Sequence, residues 1–315
     1  MTSGNDTVFL RNVMGAYMAE LGEKSDKVVV VNADLMGTCR NGGFVQKYPE
    51  RAYNVGIAEQ NLVSFAAGLA HEGFMPFAFS MSPFLTMRAC EQCRTDVAYG
   101  NLNVRLIGTY AGVSGGISGA THWSLEDCAI MTAMPGMTVL EPSDGVQARK
   151  MLDATLAYDG PIYIRSSVEP TCEIYGEDTL YEIGKASIPM LGEDGAFICS
   201  GITVKYALRA AKRILEKTGK RIRVVDMHTI KPLDRQAVID AAATGRIVVA
   251  QDHSVIGGLG YAVANVLAQE RIAVPFANLG YPDHFVSMAH APYLYHEFGY
   301  DDEGLEASMM ALMKM

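Results

Sequence analysis

Apolar residues follow two periods along this chain, one typical of buried strands and the other of helices. Short uncharged runs rich in branched apolar residues, such as 28–31 and 247–250, predict strands of a parallel sheet covered on both faces. Longer segments such as 7–22 place apolar residues at helical spacing and predict amphipathic helices. The predicted strands cover 28–31, 75–79, 104–107, 138–140, 161–165, 197–199, 222–225, 247–250 and 275–279.

Strand and helix alternate in two successive blocks, which predicts an α/β protein with two doubly wound open-sheet domains. The pattern weakens between residues 169 and 192, where glycines and prolines interrupt it. Such residues are typical of turns and connecting segments. We therefore predict a first domain at 1–175, a linker at 176–192 and a second domain at 193–315.

Composition and charge exclude several classes of protein. The chain has 315 residues, of which 49% are apolar and 19% charged, as expected for globular domains with well-filled cores. Its formal net charge of −9 gives nucleic acid no electrostatic reason to bind. No apolar run reaches the about 18 residues of a membrane span, and Met1 to Thr7 lacks the apolar core of a signal peptide.

The six cysteines are scattered through apolar and helical contexts, which is typical of free thiols in a reducing cytoplasm. Cys90 and Cys93 form a C-x-x-C pair, but no second pair accompanies them, so a redox or zinc role is not favoured. His284, His290 and His296 share no helical spacing with carboxylates. We therefore expect a cytoplasmic protein with no metal site in this chain.

Glu59 stands at the start of a helix that is predicted to be buried, because residues 62–70 carry no charged side chain. A carboxylate in the first turn of a helix complements the positive end of the helix dipole. A carboxyl group held in an apolar wall can instead keep a proton and share it with a ligand. The residues around Glu59 leave both uses open.

Two glycine-rich segments invite a phosphate-binding interpretation. Residues 112–119 could present backbone amides to an anion, but they lack the Gly-Lys-Ser/Thr ending of a P-loop. Residues 258–260 precede a helix, yet Val263 stands where a dinucleotide fingerprint has its third glycine. The second segment is better explained as a tight turn, while the first leads directly to Thr121 and His122.

Several motifs in this order resemble the transketolase family, specifically its pyrimidine-binding domain followed by its C-terminal domain. The resemblance covers nearly the whole chain from about Thr7. The family's first domain carries a Gly-Asp-Gly motif, which this sequence lacks, so the chain resembles the C-terminal subunit of a split transketolase. The matching stretches are Asn32-Ala33-Asp34-Leu35, Gly56-Ile57-Ala58-Glu59-Gln60-Asn61, Gly119-Ala120-Thr121-His122, Glu126-Asp127, Lys231-Pro232-Leu233-Asp234, Asp252-His253 and Gly257-Gly258-Leu259-Gly260.

The resemblance implies transfer of a two-carbon ketol unit between sugar phosphates with thiamine diphosphate. An N-terminal partner subunit would hold the diphosphate and its Mg²⁺ or Ca²⁺, in a dimer of heterodimers. Glu59 matches the family's carboxylic acid, which contacts the N1′ nitrogen of the cofactor's aminopyrimidine and favours its imino tautomer. The protein would supply orientation and protonation, and the cofactor the carbanion chemistry.

The resemblance also implies roles for other side chains of this chain. Phe84 matches an aromatic residue that lines the pyrimidine, and Met81 falls where a second ring is usual. Asp34 matches an acidic residue that faces the cofactor, although such a residue is also common in turns at strand ends. Phe84, likewise, could simply be a core residue.

On the sugar side, His122 matches a histidine near the reacting sugar, and Arg165 matches an arginine that binds the substrate phosphate. The chain departs from the family at Tyr110, where a histidine is common, and at Ser118, where an acidic residue is common. Thr7 stands where a further phosphate-binding arginine is common. These departures predict a substrate other than the usual pentose phosphate pair.

Four alternatives stay open. The β subunit of a 2-oxo-acid dehydrogenase has the same two domains, and half of a deoxyxylulose-phosphate synthase is a further variant. A catalytically silent partner subunit is disfavoured by an intact Glu59, and a nucleotide-binding oxidoreductase by the incomplete glycine fingerprint.

Overall fold

The computed structural model describes residues 7–314. Residues 1–6, which belong to the segment expected not to be a signal peptide, lie outside the described residues. Residue 315, the last of the predicted second domain, also lies outside them. No helix within 7–314 is long and apolar enough to cross a membrane.

Strands and helices alternate through most of the described chain. The strands are β1 Val28–Asn32, β2 Ala52–Asn54, β3 Met75–Met81, β4 Arg105–Thr109, β5 Thr138–Leu140, β6 Ile162–Ser166, β7 Ser187–Met190, β8 Ala196–Cys199, β9 Arg223–Asp226, β10 Thr229–Lys231, β11 Ile247–Ser254 and β12 Phe276–Tyr281. The α-helices are α1 Leu10–Lys24, α2 Met36–Cys39, α3 Gly42–Lys47, α4 Glu59–His71, α5 Cys90–Gln92, α6 Asp127–Ala133, α7 Gly145–Thr155, α8 Thr203–Thr218, α9 Arg235–Ala242, α10 Leu259–Gln269, α11 Ala291–Glu297 and α12 Asp302–Leu312.

The strands form two mainly parallel sheets. The first has seven strands in the order β10-β5-β6-β4-β3-β1-β2, and the second has five in the order β12-β11-β8-β9-β7. Each sheet has one antiparallel strand at its edge, β10 in the first and β7 in the second. β1 is buried along its whole length, as a strand covered on both faces must be. The predicted α/β class with two doubly wound open-sheet domains is confirmed.

The two antiparallel edge strands, β7 and β10, are not among the strands that the sequence pattern predicts. β7 lies inside the predicted linker 176–192, and β10 lies in the predicted second domain although it pairs with β5 of the first sheet. Both strands have only three or four residues and lack a continuous apolar run, which is why periodicity does not reveal them.

The Lys231-Pro232-Leu233-Asp234 motif stabilises the contact between β10 and the first domain. The Nζ of Lys231 donates hydrogen bonds to the carbonyl oxygens of Thr132 (2.8 Å) and Met134 (2.6 Å) at the end of α6. A cation is favourable there because the carbonyl end of a helix is negative. Asp234 caps α9 by accepting a hydrogen bond from the amide of Ala237 at 3.1 Å.

The helical segment 84–98, between β3 and β4, has three parts. A π-helix at Phe84–Arg88 is followed by the short α5 and a second π-helix at Cys93–Ala98. π-Helical turns widen a helix and recur at functional sites. Phe84 and Arg88 both come from the first of these turns, directly after β3.

Asp226 joins the two halves of the molecule at the end of β9. Its Oδ2 accepts hydrogen bonds from Ser143 (2.6 Å), Gln147 (2.9 Å) and Tyr175 (2.8 Å), whereas Oδ1 accepts none from the described residues. Burial raises the pKa of this carboxyl group to about 7, although the three hydrogen bonds favour its ionised form.

We expect Asp226→Asn to remove a pH dependence of stability. The unfolded carboxyl group titrates near about 3.9, so the native state binds more protons between there and about pH 7. The wild-type free energy of unfolding should therefore fall relative to that of Asp226→Asn as pH rises from 5 to 7, by up to about 1.4 kcal/mol per pH unit. Urea unfolding at pH 5, 6 and 7 measures the difference. The exposed Asp178→Asn is the control, and parallel profiles for wild type and Asp226→Asn would contradict the expectation.

Candidate active site

The candidate site lies where β1, β3 and β4 end side by side. Asp34 follows β1, Met81 ends β3 and Tyr110 follows β4, so the three come to one edge of the sheet. Open α/β sheets bind ligands at this edge. Asp34 (φ 58°) and Tyr110 (φ 62°) both adopt the left-handed conformation. It is a strained conformation for a tyrosine, and backbone strain of this kind clusters at functional sites.

Glu59 is the first residue of α4, and only 1% of it is exposed. Its Oε2 accepts a 2.6 Å hydrogen bond from Nη1 of Arg88, and the Ser80 hydroxyl lies 3.4 Å from its Oε1. The carboxyl group of Glu59 is therefore not held in an apolar wall. The helix behind Glu59 is apolar, but its carboxyl group faces a hydroxyl and a guanidinium because β3 and the π-helix that follows it supply both.

Arg88 was not anticipated from the sequence, and it links the other side chains of the site. Its guanidinium carbon lies 4.3 Å from the centroid of the Phe84 ring, and that ring meets His122 edge-on with centroids 5.4 Å apart. Glu59, Arg88, Phe84 and His122 thus form a continuous row. In the sequence, Arg88 is distinguished only as a lone basic residue after the uncharged stretch 73–87. That pattern does not indicate that Arg88 faces Glu59.

Asp34 is exposed and is oriented by Asn54 at the end of β2. The Asn54 side chain accepts a hydrogen bond from the Asp34 amide (3.0 Å) and donates one to its Oδ1 (3.2 Å). This pair explains the left-handed backbone of Asp34, because a short polar side chain tolerates that conformation when it hydrogen-bonds locally. Met81 and Phe84 are half-buried at the same edge, so Phe84 is not purely a core residue.

The glycine loop after β4 is held by a carboxylate of the protein itself. Asp252, at the end region of β11, accepts a 3.0 Å hydrogen bond from the amide of Val113 and another at 2.9 Å from the Tyr295 hydroxyl. A Cβ on Gly112, which has φ 63°, would lie 2.0 Å from the Asp252 carboxyl carbon. Glycine is therefore required for this close approach. Burial raises the pKa of Asp252 to about 7.

The remaining residues expected to bind the sugar lie around this loop. The Tyr110 hydroxyl accepts a hydrogen bond from Nη1 of Arg11 at 3.2 Å. Ser118 is exposed in the 3₁₀ turn Gly116–Ser118. His122 is half-buried, with its Nδ1 2.9 Å from the Thr121 hydroxyl. The exposed Thr7 lies at the start of the described chain.

The structure contradicts the expected role of Arg165 in binding a substrate phosphate. The side chain is wholly buried, and Asp127 binds it through both carboxylate oxygens, at 2.7 and 3.1 Å. Glu141 accepts a third hydrogen bond (2.7 Å) and the carbonyl oxygen of Asp252 a fourth (2.8 Å). Burial alone lowers the pKa of a guanidinium, but the facing carboxylates raise that of Arg165 well above its ordinary value. A phosphate has no path to this buried arginine, and four of its N–H groups already donate to these acceptors.

One group of possible metal ligands occurs among the described residues. Side-chain atoms of Asp127, Cys128 and His253 lie within 4.8 Å of one another, and all three are buried. Asp127 is already bound to Arg165, and burial raises the pKa of the Cys128 thiol well above its usual range. His253 accepts a hydrogen bond from the Ala129 amide at 3.4 Å. These atoms serve the protein interior, and the expected absence of a metal stays a prediction.

Comparison with known proteins identifies the family. Residues 6–171 match the transketolase pyrimidine-binding domain, and residues 184–305 match the transketolase C-terminal domain. The chain is 40% identical over 292 residues to the 6-deoxy-6-sulfo-D-fructose transketolase subunit of Clostridium sp. (strain MSTE9), a match that covers 92% of this chain and 90% of that protein. It is 34% identical over 312 residues to an apulose-4-phosphate transketolase subunit of Phocaeicola vulgatus, covering 98% and 99% of the two chains.

A solved structure agrees with these matches. A split-gene transketolase, described as an inactive β4 tetramer, superposes with a TM-score of 0.87 at 36% identity over 98% of each chain. Fold and site together define an α/β chain that pairs a pyrimidine-binding domain with a C-terminal domain. The chain belongs to the transketolase family, so the resemblance is confirmed and a nucleotide-binding oxidoreductase is excluded. Membership of this family implies the use of thiamine diphosphate.

We expect Arg165→Met to act on stability. Removing the guanidinium leaves the buried carboxylates of Asp127 and Glu141 without their cation, which costs about 3–5 kcal/mol in free energy of unfolding. Urea unfolding measures this loss. Arg149→Met is the control, because Arg149 forms a surface ion pair with Glu177 and its removal should cost below about 1 kcal/mol. Unchanged stability with a raised KM for a phosphorylated substrate would restore a phosphate-binding role for Arg165.

Proposed function

We propose that this chain is the C-terminal subunit of a thiamine-diphosphate-dependent transketolase made of two kinds of chain. It transfers a two-carbon ketol unit between sugars that carry an anionic group. The observation that supports this most is the buried carboxyl group of Glu59, which one guanidinium, that of Arg88, joins to the face of the Phe84 ring at the carboxyl edge of the sheet. Bound thiamine diphosphate would supply the carbon nucleophile, which no side chain of this chain provides.

The space between the carboxyl group of Glu59 and the ring of Phe84, which we call the pyrimidine niche, offers the contacts that an aminopyrimidine needs. A flat, hydrogen-bonding group already lies there, because the Arg88 guanidinium stacks over Phe84 and donates to Glu59. A planar ring with a nitrogen at its edge makes the same two kinds of contact. Met81, half-buried at the end of β3, offers a polarisable surface to such a ring.

Each side chain of this edge has a separate task in the proposal. Glu59 would hold a proton at the N1′ nitrogen of the pyrimidine from its buried position at the start of α4. Phe84 would orient the pyrimidine ring by packing against it. Asp34, oriented by Asn54, faces the cofactor from the neighbouring strand end. Their common contribution is orientation, which lowers the entropy cost of reaching the reactive geometry.

His122 is the proposed histidine of the sugar side, because its ring touches Phe84 and its Nδ1 is hydrogen-bonded to Thr121. Tyr110 and Ser118 occupy the positions where this sequence departs from many family members. The Clostridium and Phocaeicola relatives are named for different sugars, one bearing a sulfonate and the other a phosphate. We propose that Tyr110 and Ser118 select the sugar, and that Arg165 takes no part.

Glu59→Gln should lower kcat by about two to four decades while the fold is retained, because a nearly isosteric amide cannot transfer a proton to N1′. Steady-state kinetics of the assembled enzyme with a panel of ketose phosphates and sulfonates measures this. Glu72→Gln, an exposed substitution directly after the same helix, is the matched control and should leave kcat unchanged. If Glu59→Gln keeps most of its activity, Glu59 only complements the helix dipole.

The diphosphate and its Mg²⁺ or Ca²⁺ belong, in this proposal, to an N-terminal partner subunit in a dimer of heterodimers. Support comes from the lack of a Gly-Asp-Gly motif in the sequence, from relatives that are named as subunits, and from the similar β4 tetramer, which is described as inactive.

The chain alone should therefore bind thiamine diphosphate at least about a hundredfold more weakly than the complex with its partner, since each charge-assisted hydrogen bond to the missing diphosphate is worth about 1.5–3 kcal/mol. Isothermal titration calorimetry with MgCl₂ present compares the chain with the complex. Micromolar affinity of the isolated chain would refute the division of the site between two subunits.

A further inference from the structure

We propose that the Arg88 side chain occupies the pyrimidine niche of the cofactor-free subunit and has to leave it before thiamine diphosphate binds. This inference rests on the proposed function, because it assumes that Glu59 and Phe84 hold the pyrimidine. It adds a residue and a conformational step that neither the family match nor the motifs contain.

The first observation is a difference in exposure between the two ion-paired partners. The Glu59 side chain is 1% exposed, whereas that of Arg88 is 47% exposed, and their atoms are 2.6 Å apart. Arg88 therefore reaches in from the surface to a carboxylate that has no other cation within salt-bridge distance among the described residues. The half-exposed arginine can itself return to solvent at a modest cost, since water replaces the contacts that it loses, but the buried carboxylate that it leaves then needs a new partner.

The second observation is that Arg88 makes both contacts expected of the pyrimidine. Its guanidinium is planar and delocalised, lies 4.3 Å from the Phe84 ring centroid, and donates to Oε2 of Glu59. Two flat groups cannot stack on the same part of one ring and bond to the same carboxylate oxygen. Arg88 and the pyrimidine therefore exclude each other from the niche.

The position of Arg88 in the chain allows the exchange. It is the last residue of the π-helix Phe84–Arg88 and stands four residues after Phe84, so its stem lies beside that ring. Rotation about the side-chain bonds alone moves the guanidinium outward. The backbone of the following residue, Ala89, is packed in the core and can stay in place.

The arrangement explains how the free subunit tolerates an acidic residue in its interior. A buried carboxylate without a partner is strongly destabilising. Arg88 supplies that partner until the cofactor replaces it. The consequence is that only the fraction of molecules with Arg88 displaced can accept the pyrimidine, and the apparent dissociation constant rises by the inverse of that fraction.

The test compares cofactor binding by wild type, Arg88→Met and Arg88→Lys, each assembled with the N-terminal subunit. Stopped-flow fluorescence with thiamine diphosphate and MgCl₂ gives both the association rate and the dissociation constant. Arg88→Met keeps an unbranched side chain but loses the cation, so we expect about tenfold tighter binding through faster association, as for a niche that is blocked about nine times in ten. Arg88→Lys keeps the positive charge but lacks the planar guanidinium, so its dissociation constant should lie between those of wild type and Arg88→Met.

Two controls separate this inference from a general effect on the site. Arg94→Met removes an exposed arginine from the same helical segment and should bind like wild type. In a Glu59→Gln background the carboxylate is gone, so adding Arg88→Met should change the dissociation constant less than twofold. Equal effects of Arg88→Met in both backgrounds would refute competition for Glu59.

The outcomes of this test distinguish the two proposals. If Arg88→Met leaves the dissociation constant of thiamine diphosphate unchanged or raises it, the role of Arg88 is overturned and the proposed function stays intact. A wild-type complex that does not bind thiamine diphosphate at all overturns both. If Arg88→Met lowers the thermal midpoint so far that it cannot be assembled, an unchanged dissociation constant for a folded Arg88→Lys contradicts the inference on its own.

Discussion

The buried guanidinium of Arg165 is the interaction on which the relation between the two halves depends. It lies near the end of β6 of the first sheet and binds Asp127 at the start of α6, Glu141 after β5 and the carbonyl oxygen of Asp252 in β11 of the second sheet. A charge with no access to water must be paired and fully hydrogen-bonded. The two sheets can therefore meet in few ways other than the one that satisfies this group.

The candidate site follows from that junction. Asp252, whose carbonyl oxygen binds Arg165, also uses its carboxylate to hold the amide of Val113, and so fixes the glycine loop that leads to His122. On the other side of the site, strands β1 and β3 bring Asp34 and Met81 to the same edge. His122 and Phe84 meet because a loop held by the second domain crosses a π-helix of the first. The candidate site thus depends on both domains, although the residues proposed to contact the cofactor come from one.

Sequence reasoning was most successful where many residues repeat one pattern. The strand beginning at Val28 is buried along its whole length as predicted, because an uninterrupted apolar run of that length seldom occurs outside a buried strand. The helix beginning at Glu59 was also predicted, but it is buried on one face only: Gln60, Asn61 and Ser64 are exposed. The resemblance to the family rested on motifs in a fixed order, and the domain matches confirm it. The strands β7 and β10 were missed because each is stabilised by one neighbouring strand and not by its own composition.

By itself, the sequence determined the α/β class, the family and the place of Glu59 at the start of a helix, because periodicity and motif order are local properties of the chain. Only the tertiary structure decided what the charged side chains face. Arg165 and Arg88 are both arginines near strand ends, yet one is enclosed by carboxylates and the other reaches from solvent to Glu59. Partners such as Asp127 and Glu59 are 38 and 29 residues away from these arginines in the chain. Which charge lies within hydrogen-bond distance of another is set by how sheets and helices pack, and no local pattern contains that information.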